Sequence, residues 1–286
     1  MLNALSVDVE DWFQVGAFEN TIRREDWDRL DYRAERNTDA CLALFDEAGV
    51  KATFFTLGWV AQRSPALIRR IVDAGHEIAS HGFGHERVFT LDKATFTANL
   101  ARTRKLIEDA GGAAVTGYRA PSFSIDARTP WAYEALVEGG YHYSSSVAPV
   151  RHDHYGWPEA PRFAFRPIKD ADLIEVPITT SIIAGRTFAM GGGGFFRLLP
   201  YALSSHAIRK VNAQGAPASF YFHPWEIDPD QPRVNAAPLK SQLRHYTKLK
   251  DMAIKLKRLT RQFEWGRYDE VVANLVMAAA KTEPTL

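Results

Sequence analysis

The segment Ala79-Ser80-His81-Gly82-Phe83-Gly84-His85-Glu86 sets two imidazoles four residues apart, directly after an apolar stretch. Imidazole is the commonest side-chain ligand for borderline divalent metals. The glycines on either side of Phe83 disfavour a continuous helix, so the pair is expected on a loop that folds back on an ion. With nine histidines in the chain, such a spacing is not specific by itself. Other segments must supply the rest of a site. Leu5 to Glu10 alternates apolar and polar residues and ends with Asp8, Glu10 and then Asp11. Arg119 precedes Pro121, and His223 closes the β-prone run Ser219-Phe220-Tyr221-Phe222. Two imidazoles and one carboxylate form a facial set that leaves positions open for water and substrate. Such an ion polarises a carbonyl and lowers the pKa of its water, while a free carboxylate and an acid move protons. Asp8 and His223 are the candidates for base and acid, and the chemistry is metal-assisted hydrolysis of an amide or ester.

The elements that position these residues follow from periodicity and stop signals. Period-2 alternation predicts a strand at residues 5–10, with Asp8 and Glu10 on one face. Residues 52–57, 76–80, 117–121, 141–145, 173–177 and 219–223 read as further short strands. Helices are expected at 38–48, 65–72, 91–110, 129–137, 200–211, 239–263 and 268–280, several of them stopped by glycine. Residues 26–36 and 148–166 read as loop. Gly191 to Gly194 lacks the Gly-Lys-Ser/Thr ending of a phosphate loop and reads as a flexible or closely packed turn. Strands alternating with helices argue for an α/β fold with a parallel sheet, open or closed into a barrel. Carboxylates at the carboxyl ends of such strands are where these folds keep their chemistry.

At 286 residues with 46% hydrophobic and 24% charged residues, the composition is that of a globular protein. A net charge of +1 supplies no global field for nucleic acid or an anionic membrane. The single cysteine, Cys41, excludes an intramolecular disulfide and reads as a buried hydrophobe. No apolar stretch reaches the length of a membrane span, and the first residues lack a signal-peptide pattern, so a cytoplasmic location is expected. No repeat or linker divides the chain: one domain over 1–286 is expected, with residues 226–286 as a helical extension.

The motifs, in order, resemble those of the polysaccharide deacetylases, the NodB-homology group or carbohydrate esterase family four. The resemblance rests on Ser6 to Asp11, Ala52 to Gly58 (ATFFTLG), Gly75 to His85 (GHEIASHGFGH), Tyr118-Arg119-Ala120-Pro121 and Tyr221-Phe222-His223, spread over residues 1 to 225. The later segments GGGGFFRLLPY and HPWEIDPDQPR resemble the subgroup accompanying exopolysaccharide and exosortase loci.

The resemblance implies a distorted (β/α) barrel that removes acetyl groups from N-acetylhexosamine units, with a divalent metal, zinc for preference. It implies Asp8 as base, His81 and His85 as ligands, His223 as acid and Arg119 as the residue that orients the base. The backbone near Ser122 would face the oxyanion, and Trp225 beside His223 is a candidate sugar contact. The third ligand is Glu10 or Asp11; Glu10 is favoured because it shares a strand face with Asp8 and reaches further. Ser144 stands where the family often carries an aspartate. The expected partner is an N-acetylated oligo- or polysaccharide, with no nucleic acid and no transmembrane segment, and with peripheral association with polysaccharide-assembly machinery at the inner membrane surface. Two other functions fit the fold: a metal-independent amidohydrolase acting on a small ring compound, and a non-catalytic carbohydrate-binding relative. His76 reads as a packed structural histidine, and His142, His152, His154, His206 and His245 carry no expected role.

Overall fold

The computed structural model describes residues 1–152 and 155–282. Its strands are β1 (Asn3–Val9), β2 (Thr53–Thr56), β3 (Glu77–Ser80), β4 (Gly117–Tyr118), β5 (Tyr143–Ser144), β6 (Ile174–Glu175), β7 (Thr180–Ile183), β8 (Arg186–Ala189), β9 (Ser219–Phe222) and β10 (Trp265–Gly266). Its helices are α1 (Ala34–Ala48), α2 (Gly58–Arg63), α3 (Pro65–Asp73), α4 (Lys93–Gly111), α5 (Trp131–Glu138), α6 (Gly193–Leu198), α7 (Tyr201–Asn212), α8 (Leu239–Tyr246), α9 (Leu249–Gln262) and α10 (Tyr268–Thr282).

Eight strands form one sheet in the order β10-β1-β2-β3-β4-β5-β6, with β9 also paired to β1. Every pairing in it is parallel. The sheet curls so that Gly192 bridges Tyr221 of β9, and Thr179 bonds Ser219 on the way there from β6. This is the expected α/β barrel, distorted because irregular backbone replaces a strand at the seam. β1 is central and buried on both faces, so its polar residues do not form a solvated edge. Leu5, Val7 and Val9 join the core shared with the outer helices, while Ala4 packs against the inner cluster with Phe55, Ala79 and Tyr143. Strand alternation therefore sends Ser6 and Asp8 into the barrel interior.

Side chains of α9 and α10 are part of this core. Met252, Leu256 and Leu259 of α9 enter the main cluster, and Tyr268, Val271 and Val272 of α10 fill the inner one. No helix of the described residues is long and apolar enough to cross a membrane.

Several elements depart from the sequence expectation. α1 begins at Ala34 rather than 38, because Asp11 accepts hydrogen bonds from the Arg33 and Ala34 amides at 2.5 and 2.8 Å. The expected helix over 239–263 is two helices. Arg197 donates to the carbonyls of Arg244, His245 and Thr247, which ends α8, and Lys248 turns the chain at φ +55°. The hairpin β7–β8, the short helix α2 and the strand β10 were not expected. The glycine run is closely packed: a Cβ on Gly192 or Gly193 would strike the Tyr221 ring or the Glu226 carboxylate. Of the loop at 148–166, Asp153 and His154 lie outside the described residues.

Candidate metal centre and active site

Glu10 follows β1 directly and His81 follows β3 directly, so the parallel sheet brings them to the same edge. His85 arrives on the loop between. That loop is pinned because the first amides of α2, Gly58 and Trp59, donate to the Gly82 and Phe83 carbonyls at 2.9 and 3.0 Å. Those amides have no partner within a helix, so a neighbouring loop satisfies them. Gly82 and His85 take positive φ, +74° and +59°, which turns the second imidazole back toward the first.

Glu10, His81 and His85 each offer a ligand atom, all within 4.8 Å of one another. His85 Nε2 lies 2.9 Å from Glu10 Oε2. The Arg119 carbonyl lies 2.8 Å from His81 Nδ1, which places the proton there and leaves Nε2 with its lone pair. Burial, with the nearby His85, pushes the His81 imidazole down to about 3, so it is a neutral ligand at neutral pH. Burial alone would raise the Glu10 carboxyl, but His85 and His223 hold it below its ordinary value. Glu10 Oε2 is buried and accepts no hydrogen bond among the described residues. An orphaned carboxylate oxygen facing imidazole lone pairs is what a divalent cation requires, so the residues fit the implied metal. Asp11, the alternative ligand, lies outside this cluster. Its carboxylate accepts from the amides of Trp12, Arg33 and Ala34, a cap rather than a metal contact.

Asp8 sits beneath the cluster, 2% exposed, with its Oδ1 accepting from Arg119 Nη1 at 2.6 Å. Arg119 also bonds Ser6, Ser145 and Tyr268. Ser144 does not take part; its hydroxyl donates to Ser146.

On the other side of Glu10, His223 Nε2 lies 3.5 Å from Glu10 Oε1. Its Nδ1 and backbone amide both meet Glu226 Oε1, at 2.9 and 3.1 Å. Glu226 is itself held by Arg197 Nε at 2.7 Å. Burial would lower the His223 pKa, but Glu10, Glu226 and Asp8 raise it to about 9. Burial likewise works against the Glu226 anion, yet Arg197 and His223 bring its carboxyl down to about 2.

Trp225, the candidate sugar contact, is largely withdrawn from solvent. Its indole stacks with His223 and with His245, at centroid distances of 5.1 and 4.0 Å, and the residue is 5% exposed. Its indole N–H points to Glu10 Oε1 at 3.4 Å. The residue lines the cavity while packing against the site's own imidazoles, because the chain after Pro224 turns inward as a short 3-10 helix. His76 is buried between Phe45 and Phe54, its Nδ1 accepting from the Ala52 amide.

These groups open onto a cavity of about 490 Å³ lined by Asp8, Glu10, His81, His85, Ser122 and His223, among others. Ser122 and Phe123 have φ of +55° and +49°, a tight turn at the cavity wall. The Phe123 amide is engaged by the Ala120 carbonyl, which leaves the Ser122 amide as the candidate oxyanion donor.

Sequence reasoning missed Glu226, Arg197 and Tyr268. Glu226 had a local signal: a Glu three residues after a residue that caps a helix. Arg197 and Tyr268 had none, since their partners lie far away along the chain.

The fold and this cluster define an α/β protein whose polar site lies at the carboxyl ends of parallel strands. Residues 27–142 match the polysaccharide deacetylase family, and residues 145–273 match a domain of unknown function, DUF3473. Arg119, His81 and His85 fall in the first segment and His223 in the second, whereas Asp8 and Glu10 precede both. A peptidoglycan deacetylase of Helicobacter pylori is 29% identical over 150 residues, 51% of this chain and 50% of that protein. A peptidoglycan-N-acetylglucosamine deacetylase of Bacillus cereus is 29% identical over 98 residues, 34% of this chain and 36% of that protein. The chain thus spans half or less of the length of these curated relatives. A Mycobacterium smegmatis protein assigned to the polysaccharide deacetylases shares the fold at a TM-score of 0.64 and 21% identity, covering 99% of this chain and 92% of that one. An allantoinase shares it at 0.62 and 15%, covering 99% and 91%.

Proposed function

We propose that this chain is a metal-dependent deacetylase that hydrolyses the acetamido group of N-acetylhexosamine units in a polysaccharide or its precursor. The observation that carries this reading is the convergence of Glu10, His81 and His85, with an orphaned carboxylate oxygen, between Asp8 and His223. The relatives' names point to the same substrate class.

Glu10, His81 and His85 would hold the ion, zinc for preference given two imidazoles and one carboxylate. When bound, it supplies Lewis-acid polarisation of the acetyl carbonyl and a water acidic enough to ionise near neutrality. Asp8 takes the proton of the attacking water. Arg119 holds Oδ1, which orients the carboxylate and leaves its second oxygen for that proton. The Ser122 amide faces the developing oxyanion, where a preorganised donor contributes most. His223 delivers its Nε2 proton to the departing amine, with Glu226 holding Nδ1–H and so fixing the ring. A metal-independent ring amidohydrolase needs no Glu-His-His cluster, and a pure binding protein needs neither Asp8 nor His223.

The test measures metal content and acetate release from N-acetylglucosamine oligomers, with and without chelator. We expect activity that is lost with the metal and restored by zinc. Full turnover by metal-free protein would overturn the mechanism, and turnover of a cyclic ureide alone would favour the ring amidohydrolase.

A further inference from the structure

Arg119 is fully buried, and all five of its N–H groups are engaged. Nε donates to the Ser145 carbonyl at 3.1 Å. Nη1 donates to Ser6 Oγ at 2.7 Å and Asp8 Oδ1 at 2.6 Å, and Nη2 to Ser145 Oγ at 3.0 Å and Tyr268 OH at 2.8 Å. Among the described residues, Asp8 is the single carboxylate bonded to this fork. The direction in which the planar fork points therefore decides where Asp8 is held. Ser6 and Ser145 come from the barrel strands or their ends. Tyr268 does not: it opens α10, 149 residues further along the chain.

The phenol is built into its place. Its oxygen accepts from Arg119 and from Ser145 Oγ at 3.2 Å, which leaves its proton for the neighbouring Ser219 Oγ. The ring lies parallel to Tyr143 at 5.8 Å and meets Phe55 edge-on at 5.4 Å. The Tyr268 amide donates to Thr53 Oγ1 at 2.7 Å, and the next amide, of Asp269, to Glu77 Oε2 at 3.2 Å. β2 and β3 thus grip the first turn of α10, and that turn carries the hydroxyl to the arginine.

We propose that Tyr268 is a positioning residue for the base: through Arg119 it fixes the Asp8 carboxylate, and the C-terminal helix is thereby part of the catalytic apparatus. The proposal rests on the reading of Asp8 as base. It assigns a function to a residue in the segment beyond the deacetylase match.

Tyr268→Phe keeps the ring and its packing and removes one oxygen. One Arg119 N–H and the Ser145 hydroxyl then lose their acceptor, and the fork is free to tilt. A misplaced base lowers turnover more than binding, since displacement of a reacting group by about 1 Å can cost on the order of 10²-fold. We expect kcat on N-acetylglucosamine oligomers to fall about tenfold or more, with KM within about twofold and metal stoichiometry unchanged. Ser219→Ala, which removes the phenol's own acceptor, should give a smaller loss of the same kind and serves if Tyr268→Phe folds poorly.

The second readout needs no turnover. Side-chain ¹⁵N NMR should show a resolved, slowly exchanging Arg119 guanidinium in the parent protein and its broadening or loss in Tyr268→Phe. A variant with parental kcat and an unchanged guanidinium signal overturns the proposal, and so does a fall in melting temperature without either change. If the parent releases no acetate while the guanidinium signal still depends on Tyr268, the deacetylase reading fails and the positioning of Asp8 stands.

Discussion

Glu10 Oε2 stands 2.9 Å from Nε2 of His85, and its other oxygen stands 3.5 Å from Nε2 of His223. One buried carboxylate thus separates the imidazole assigned to the metal from the imidazole assigned to the leaving group. The two roles can be separated by mutation.

Glu10→Gln removes the charge that a divalent ion would meet. Since loss of groups that merely orient ligands costs about 10–100-fold in metal affinity, loss of a ligand should cost at least that. Asp8→Asn should instead keep full metal occupancy and lose on the order of 10²–10⁴ in kcat. His81→Ala should lose both. Calorimetric zinc titration beside acetate release distinguishes them; a normal kcat in Asp8→Asn would show that the base is another group.

Glu226→Gln tests the acid. His223 is raised to about 9 by Glu10, Glu226 and Asp8 against the pull of burial, so its protonated form is present below that pH and lost above it. A cation on Glu10 cancels the largest of these contributions, and Glu226 becomes the main support. The basic limb of the rate profile should therefore move to lower pH in Glu226→Gln, with kcat at pH 7 reduced about tenfold. An unmoved limb would separate His223 from proton delivery.

Gly193→Ala would drive a methyl into the Glu226 carboxylate, which Arg197 and His223 hold in place. Better helix propensity offers up to about 1 kcal/mol in compensation, but overpacking costs about 1–3 kcal/mol. The variant should melt several degrees lower and lose activity. Gly194→Ala, whose Cβ meets nothing, should be neutral or slightly stabilising. Equal effects at the two positions would contradict the packed turn.

His76 gives a stability signature away from the site. Burial, with Lys51 and Arg267 nearby, lowers its pKa to about 4. The unfolded chain then binds the extra proton between that value and the ordinary 6.5, so stability rises with pH across this window. The contribution is complete above it and lost as pH falls through it, about 3 kcal/mol in all. His76→Asn retains an acceptor for the Ala52 amide but cannot titrate. Urea unfolding from pH 4 to 7.5 should show the parent losing about that much more than the variant, whereas parallel curves would assign the acid sensitivity elsewhere.

Local periodicity carried much of the architecture. The alternation in Leu5 to Glu10, the glycine stops after residues 48, 74 and 138, and the strand-like Ser219 to Phe222 are short-range signals, and each element formed within a few residues of its expected place. Because strand ends in a parallel sheet share one edge, the sequence also placed Glu10, His81, Arg119 and His223 within reach of one another. What it left open depended on partners distant in the chain. Asp11 was turned from a possible ligand into a helix cap by amides 22 and 23 residues away. Trp225 was stacked against two imidazoles, one of them from α8. Arg197 ended α8 from 47 residues or more away, and Tyr268 reached Arg119 across 149. A side chain's type and its neighbours determine which element it joins. Which buried donor meets which acceptor is decided only when the sheet has curled and α10 has closed its interior, because hydrogen bonds between remote residues leave no period in the sequence.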